Sequence, residues 1–207
     1  MSLLAGAGML YARPVPGWTS TVIGGAAAGT VLALLRPEAA RALLAKEGPV
    51  EHASHAVLAA AIVAWGLAGR ERGARALPLV MAAFLALVLA EEVDWGAVYG
   101  MTAIGERVAG WFGHRNMHNA VHGTSYLLFA LPLVGYYLSP GTGSRLGARG
   151  PTRDERAAFA AIAGLFLVGN MFAAWEREAQ ELLELLLYAL LLGTGVRLGR
   201  VVAGRAG

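Results

Sequence analysis

Six apolar stretches follow one another along this chain, and each is close in length to a helix that crosses a lipid bilayer. Such a helix needs about 20 consecutive apolar residues. The stretches cover roughly residues 18–35, 50–69, 76–99, 117–138, 157–175 and 182–198. We therefore expect an all-α, polytopic membrane protein. About six transmembrane helices would form one integral-membrane domain over residues 1–207.

The composition supports the same class. Of the 207 residues, 57% are hydrophobic and only 15% are charged, and the mean hydropathy is +0.54. These values exclude a disordered chain and argue against an ordinary soluble domain. The net charge of +3 does not indicate a nucleic-acid partner, because the basic residues lie in short loops between apolar stretches. Without cysteine, the chain cannot form disulfides or thiolate metal sites.

Two short segments are too polar to cross a membrane. The first, PEAARALLAKEG at residues 37–48, predicts a short amphipathic helix. The second, MTAIGERVAGWFGH at residues 101–114, lies between the third and fourth apolar stretches. Its mixture of aromatic, apolar and charged residues favours a helix that lies in the membrane interface.

The distribution of charge predicts the orientation. With both termini on one side of the membrane, 11 of the 17 basic residues fall on that side and 6 on the other. The positive-inside rule then places both termini in the cytoplasm. The acids follow the opposite trend, since 11 of the 14 lie on the outer side together with all five histidines.

Four groups of acids and histidines are predicted to meet at the outer ends of the helices. An odd number of crossings separates each group from the cytoplasm, so all of them share one depth. They are Glu51 and His55, then Glu91, Glu92 and Asp94, then His118 and His122, then Glu181 and Glu184. The pairs Glu51/His55 and His118/His122 have i, i+4 spacing and therefore share a helix face.

Carboxylates and imidazoles together are ligands for zinc or iron. A divalent metal ion would also offset the cost of burying several carboxylates near one another. The predicted ligands are His55, Glu91, His118, His122, Glu51, Glu181 and Glu184. With Glu92 or Asp94 as general base, this set predicts a metal-dependent hydrolase of a lipid-like amide or ester. The expected partners are membrane lipids and a lipid-like substrate.

Other functions remain open for the same residues. Four helices that each donate a carboxylate or histidine resemble di-iron bundles, although the chain has no Glu-x-x-His spacing. Two histidines from neighbouring helices can hold a haem, which the nearby carboxylates disfavour. A non-enzymatic membrane subunit would instead use the polar layer to join helices or bind a partner protein. The residue types, though not the motifs, are similar to those of membrane zinc amidases of the alkaline ceramidase type.

Two short motifs resemble a family. EEVDWG at residues 91–96 and NMHN at residues 116–119 resemble uncharacterised bacterial multi-pass membrane proteins. These carry an acidic pair, then Ser-Trp-Gly, and later Asn-x-His-Asn. The matching positions are Glu91, Glu92, Trp95, Gly96, Asn116, His118 and Asn119, and Asp94 stands where the family has serine. The resemblance implies a bacterial inner membrane and a polar site at the outer leaflet, but no particular reaction.

Overall fold

The computed structural model describes residues 20, 24–25, 27–29, 35–45, 48–70, 76–114, 124–139, 150–171 and 176–203. Within these ranges the chain is helical and contains no β-strand, so the all-α prediction is confirmed. We label the helices α1 Pro37–Leu43, α2 Pro49–Ala68, α3 Ala76–Glu92, α4 Thr102–Phe112, α5 Thr124–Tyr137, α6 Arg153–Met171 and α7 Glu176–Ala203. A 3₁₀ segment, Asp94–Tyr99, joins α3 to α4.

Two described helices are long and apolar enough to cross a membrane. They are α2 and the part of α7 from Gln180 to Arg200. The helices α1 and α4 lie where the sequence predicted short amphipathic helices. Most of the first predicted span and the start of the fourth, residues 117–123, lie outside the described residues.

The end of the third span was predicted wrongly, whereas the apolar part of α7, Gln180–Arg200, agrees with the predicted last span. Helix α3 ends at Glu92 rather than near Tyr99, because Asp94 and Trp95 have φ values of 48° and 55°. This left-handed backbone conformation cannot continue a right-handed α-helix. Helix α7 begins at Glu176, about two turns before the predicted start of the last span.

The core forms where α2 packs along α7, with α3 against α2 and α6 against α7. Trp65 of α2 is fully buried, and its indole Nε1 donates a 2.9 Å hydrogen bond to the backbone oxygen of Leu191 in α7. The ring of Tyr136 packs edge-on against Trp65, with ring centroids 5.6 Å apart. Tyr137 stacks on Phe159 of α6 at 4.7 Å. These rings therefore join α2, α5, α6 and α7 in one core.

Helices α2 and α7 pack closely against each other at Gly195. A Cβ atom built there would lie 2.9 Å from Cδ1 of Trp65 and 3.0 Å from Cβ of Ala64. Small residues at such crossings allow two helix backbones to pack closely. Gly199, one turn further along α7, has no heavy atom within 4 Å of the equivalent position.

We expect Gly195→Ala to lower the free energy of unfolding by about 1–3 kcal/mol, because the added methyl group overpacks the contact with Trp65. The control, Gly199→Ala, should raise it by up to about 1 kcal/mol, because alanine has the higher helix propensity. Equilibrium unfolding in mixed detergent micelles would measure both changes. Equal stabilisation by the two substitutions would contradict this close packing.

A buried ion pair joins α7 to α6, two residues beyond Gly195. The guanidinium of Arg197 donates to both carboxylate oxygens of Glu155 in α6, from Nε at 2.8 Å and from Nη2 at 2.9 Å. Nη2 also donates to the backbone oxygen of Gly150 at 3.0 Å. Glu155 and Thr152 form a capping box, in which each side chain accepts from the other's backbone N–H. Arg197 is thereby fixed to the first turn of α6.

Candidate functional site

Helix α2 begins with Pro49, after Gly48 as its N-cap. Proline suits this first helical position, because its missing N–H would have no partner within the helix. Glu51 follows in the first turn, where the positive end of the helix dipole stabilises a carboxylate. Glu51 and His55 are both buried and share one face, as the i, i+4 spacing predicted.

The imidazole of His55 has two different environments. Its Nδ1 lies 3.0 Å from the hydroxyl oxygen Oη of Tyr99, and its Nε2 lies 3.9 Å from Oε1 of Glu51. The Nε2 atom is buried and has no hydrogen-bond partner among the described residues. When Nδ1–H donates to Tyr99, the lone pair on Nε2 is directed into the protein beside Glu51.

Tyr99 also connects this buried histidine to the surface. Its hydroxyl oxygen lies 3.4 Å from Nδ1 of His52, which is exposed one turn before His55. The three rings meet in pairs, with centroid distances of 5.9–6.2 Å. The last residue of the 3₁₀ segment therefore covers the start of α2.

The EEVDWG motif forms the second part of the site. Glu91 is only 2% exposed, and its Oε1 accepts a 2.8 Å hydrogen bond from Nε1 of Trp95. The left-handed conformations of Asp94, Trp95 and Gly96 turn the chain so that the indole lies back against Glu91. For Asp94 and Trp95 this backbone conformation is strained by about 1 kcal/mol or more each.

The acids at the start of α7 form the third part. The hydroxyl of Tyr188 donates to Oε1 of Glu92 at 3.3 Å, which connects α7 to the end of α3. Glu184 lies within electrostatic range of Glu92, Glu181 and Glu51. Acids from α2, α3 and α7 therefore interact electrostatically near the start of α7.

The remaining predicted site residues are Asp94, His118 and His122. Asp94 is half-buried in the 3₁₀ segment. His118 and His122, like the NMHN motif, lie outside the described residues. Among the residues that are described, no three histidine, aspartate or glutamate side chains are grouped closely enough to hold a metal ion.

Sequence reasoning missed the hydroxyl groups. Tyr188 is four residues after Glu184, so the i, i+4 rule applied to α7 would have grouped it with the acids. No local pattern indicates the contact of Tyr99 with His55, 44 residues earlier. The hydrogen bond from Nε1 of Trp95 to Glu91 was missed as well.

Comparisons of the chain with protein-family models, with curated proteins and with solved structures find no match. The resemblance of EEVDWG and NMHN to bacterial multi-pass membrane proteins therefore stays a prediction. The chemistry of the site follows from its own geometry.

Proposed function

We propose that this chain is an integral membrane protein that binds a divalent metal ion at the outer end of its helical bundle. We further propose that it hydrolyses a lipid-like amide or ester there. The observation that carries the proposal is the imidazole of His55. One of its nitrogens contacts the Tyr99 hydroxyl, and the other is buried beside Glu51 without a hydrogen-bond partner among the described residues.

This environment suits a metal ligand. Histidines that bind a metal through one ring nitrogen almost always donate the other N–H to an oxygen nearby, which fixes the tautomer and the ring orientation. Tyr99 supplies that oxygen at Nδ1. A buried polar atom without a partner is unfavourable by about 1–3 kcal/mol, and a metal ion at Nε2 would remove this penalty.

The surrounding acids favour a cation. Glu51, Glu181 and Glu184 lie in a common electrostatic environment, and a divalent ion would offset their mutual repulsion. Glu91 is a further proposed ligand, held in place by the hydrogen bond from Nε1 of Trp95 to its Oε1. His118 and His122 complete the proposed ligand set, on the evidence of their spacing in the sequence alone.

A bound zinc ion would supply an activated water and would polarise the substrate carbonyl. Glu92, oriented by the Tyr188 hydroxyl, is the proposed general base, with Asp94 as the second candidate. Iron in place of zinc would favour the di-iron oxidoreductase. Titration of chelator-washed protein with Zn²⁺ tests the proposal, which predicts saturable binding at about one site per chain.

One observation favours a structural role instead. Trp95 donates to Glu91, Tyr188 donates to Glu92, and Tyr99 contacts His55, so the polar layer connects the outer ends of the helices through its own hydrogen bonds. A non-enzymatic membrane subunit would use the layer in this way. An absence of saturable Zn²⁺ binding would support this second function and contradict the first.

The exposed apolar residues support a membrane location. Large aliphatic side chains are exposed on α2, α3, α5 and α6, among them Val63, Leu67, Leu79, Val80, Leu131, Leu165 and Leu167. Soluble monomers rarely expose so much apolar surface. Helix α3 has 17 residues and is about 26 Å long, close to the thickness of the hydrocarbon core. We propose six spans in a bacterial inner membrane, with both termini in the cytoplasm.

Because the chain has no cysteine, single cysteines can report its orientation. Arg70, after α2, and Glu106, in α4, are both exposed and lie near opposite ends of the bundle. In intact cells we expect a membrane-impermeant maleimide to label Glu106→Cys but not Arg70→Cys. Both should react after permeabilisation. The reverse pattern would place the termini outside.

A further inference from the structure

Helix α4 has an apolar edge that no described part of the protein covers. Beside this edge Gly105 and Val108 are buried, and a Cβ atom at Gly105 would lie 3.0 Å from the backbone oxygen of Asp94. Along the outer edge, Ile104 is 58% exposed and Trp111 is 76% exposed. Met101, directly before the helix, is 65% exposed.

These residues form one stripe together with a charge. Met101, Ile104, Arg107 and Trp111 are three or four residues apart and therefore lie along one side of the helix. We call them the α4 stripe. Arg107 is exposed within the stripe, whereas Glu106 lies on the opposite edge. The acidic residue is thus on a different face of the helix from the apolar residues, whereas the basic residue lies among them.

We propose that the α4 stripe is inserted into the outer leaflet of the membrane, with the Arg107 guanidinium on lipid phosphates. At 11 residues, α4 is too short to cross the bilayer, so it would lie in the plane of the interface. Tryptophan is enriched at this depth, and arginine extends its charge toward the headgroups while its methylene groups remain in apolar surroundings. The positive charge of Arg107 complements lipid phosphate. A contact with a second apolar protein surface would not require such a charge.

The stripe also indicates how a ligand would reach the candidate site. Tyr99 lies two residues before Met101 and is 51% exposed, and its hydroxyl contacts the buried His55. The lipid-facing surface therefore begins beside the side chain that covers His55. A membrane-embedded amphiphile can approach Tyr99 from the leaflet without leaving the bilayer. The placement of α4 in lipid does not depend on whether the site binds a metal.

Spin labels on the full-length chain test this placement. Nitroxides on Ile104→Cys and, as a matched control, Glu106→Cys are compared in vesicles of phosphatidylcholine and phosphatidylglycerol. Oxygen concentrates in lipid, whereas a nickel chelate remains in water. We expect the ratio of oxygen to nickel collision rates to be several-fold higher at position 104 than at position 106.

A second pair keeps the test decisive if Ile104→Cys fails to fold. Trp111→Cys and Gly110→Cys should differ in the same direction, because residue 111 lies in the stripe and exposed residue 110 does not. Equal ratios within both pairs would overturn the proposal. Labels at 104 or 111 that are shielded from both reagents would also overturn it, because the stripe would then be covered by protein.

Discussion

Arg197→Met is expected to lower the free energy of unfolding by about 3–5 kcal/mol. The substitution keeps much of the aliphatic length but removes the guanidinium, which makes two hydrogen bonds to Glu155 and one to the backbone of Gly150. The carboxylate of Glu155 would then remain buried without its cation, and burial of an uncompensated charge is strongly unfavourable. Equilibrium unfolding in mixed detergent micelles measures the change.

The same helix offers a matched control. Arg200 lies three residues beyond Arg197 but is exposed, so Arg200→Met should change the free energy of unfolding by no more than about 0.5 kcal/mol. Glu155→Leu in the Arg197→Met background should recover part of the loss, since no charge is then left buried. An effect of Arg197→Met as small as that of Arg200→Met would show that the ion pair does not stabilise the fold.

His55→Ala is expected to produce the largest loss of metal affinity. It removes the proposed ligand itself, so Zn²⁺ binding should weaken by well over about 100-fold. That factor is the upper range for the loss of a residue that only hydrogen-bonds a metal ligand. Tyr99→Phe keeps the ring but removes the hydroxyl that contacts Nδ1 of His55. Because this hydroxyl orients the proposed ligand and does not itself bind the metal, its loss should weaken Zn²⁺ binding by about 10–100-fold.

The exposed His114, at the end of α4, supplies the control for this series. His114→Ala should leave the Zn²⁺ dissociation constant unchanged, and competition with a chromophoric chelator would measure all three variants. If His55→Ala and His114→Ala bind Zn²⁺ equally well, the metal does not bind at Nε2 of His55. If Tyr99→Phe matches the parent chain, the Tyr99 hydroxyl does not orient the ligand.

The sequence predicts the helical class and the polar layer for a simple physical reason. Apolar runs long enough to cross a bilayer predict where helices lie, and counting these runs predicts which charged groups share one end of the bundle. Glu51, Glu92 and Glu184 are on three different helices, yet this counting predicts them at the same end, and in the structure Glu184 interacts electrostatically with the other two.

What sequence reasoning missed depends on contacts between distant residues and on backbone conformation. Arg197 and Glu155 were counted only as charges on the cytoplasmic side, because nothing local reveals a partner 42 residues away. The early end of α3 follows from the left-handed φ values of Asp94 and Trp95, and neither residue is a glycine that would have signalled them. The contact between Tyr99 and His55 depends on this turn.

The metal content of protein purified in detergent and dialysed without added metal tests the central proposal most directly. Elemental analysis should find about one equivalent of zinc per chain, or about two of iron if the di-iron oxidoreductase alternative holds. In His55→Ala the metal should be lost, and in the surface variant Glu106→Ala it should be retained. A metal-free parent chain, or equal metal content in His55→Ala and the parent, would contradict the metalloprotein and favour the structural polar layer.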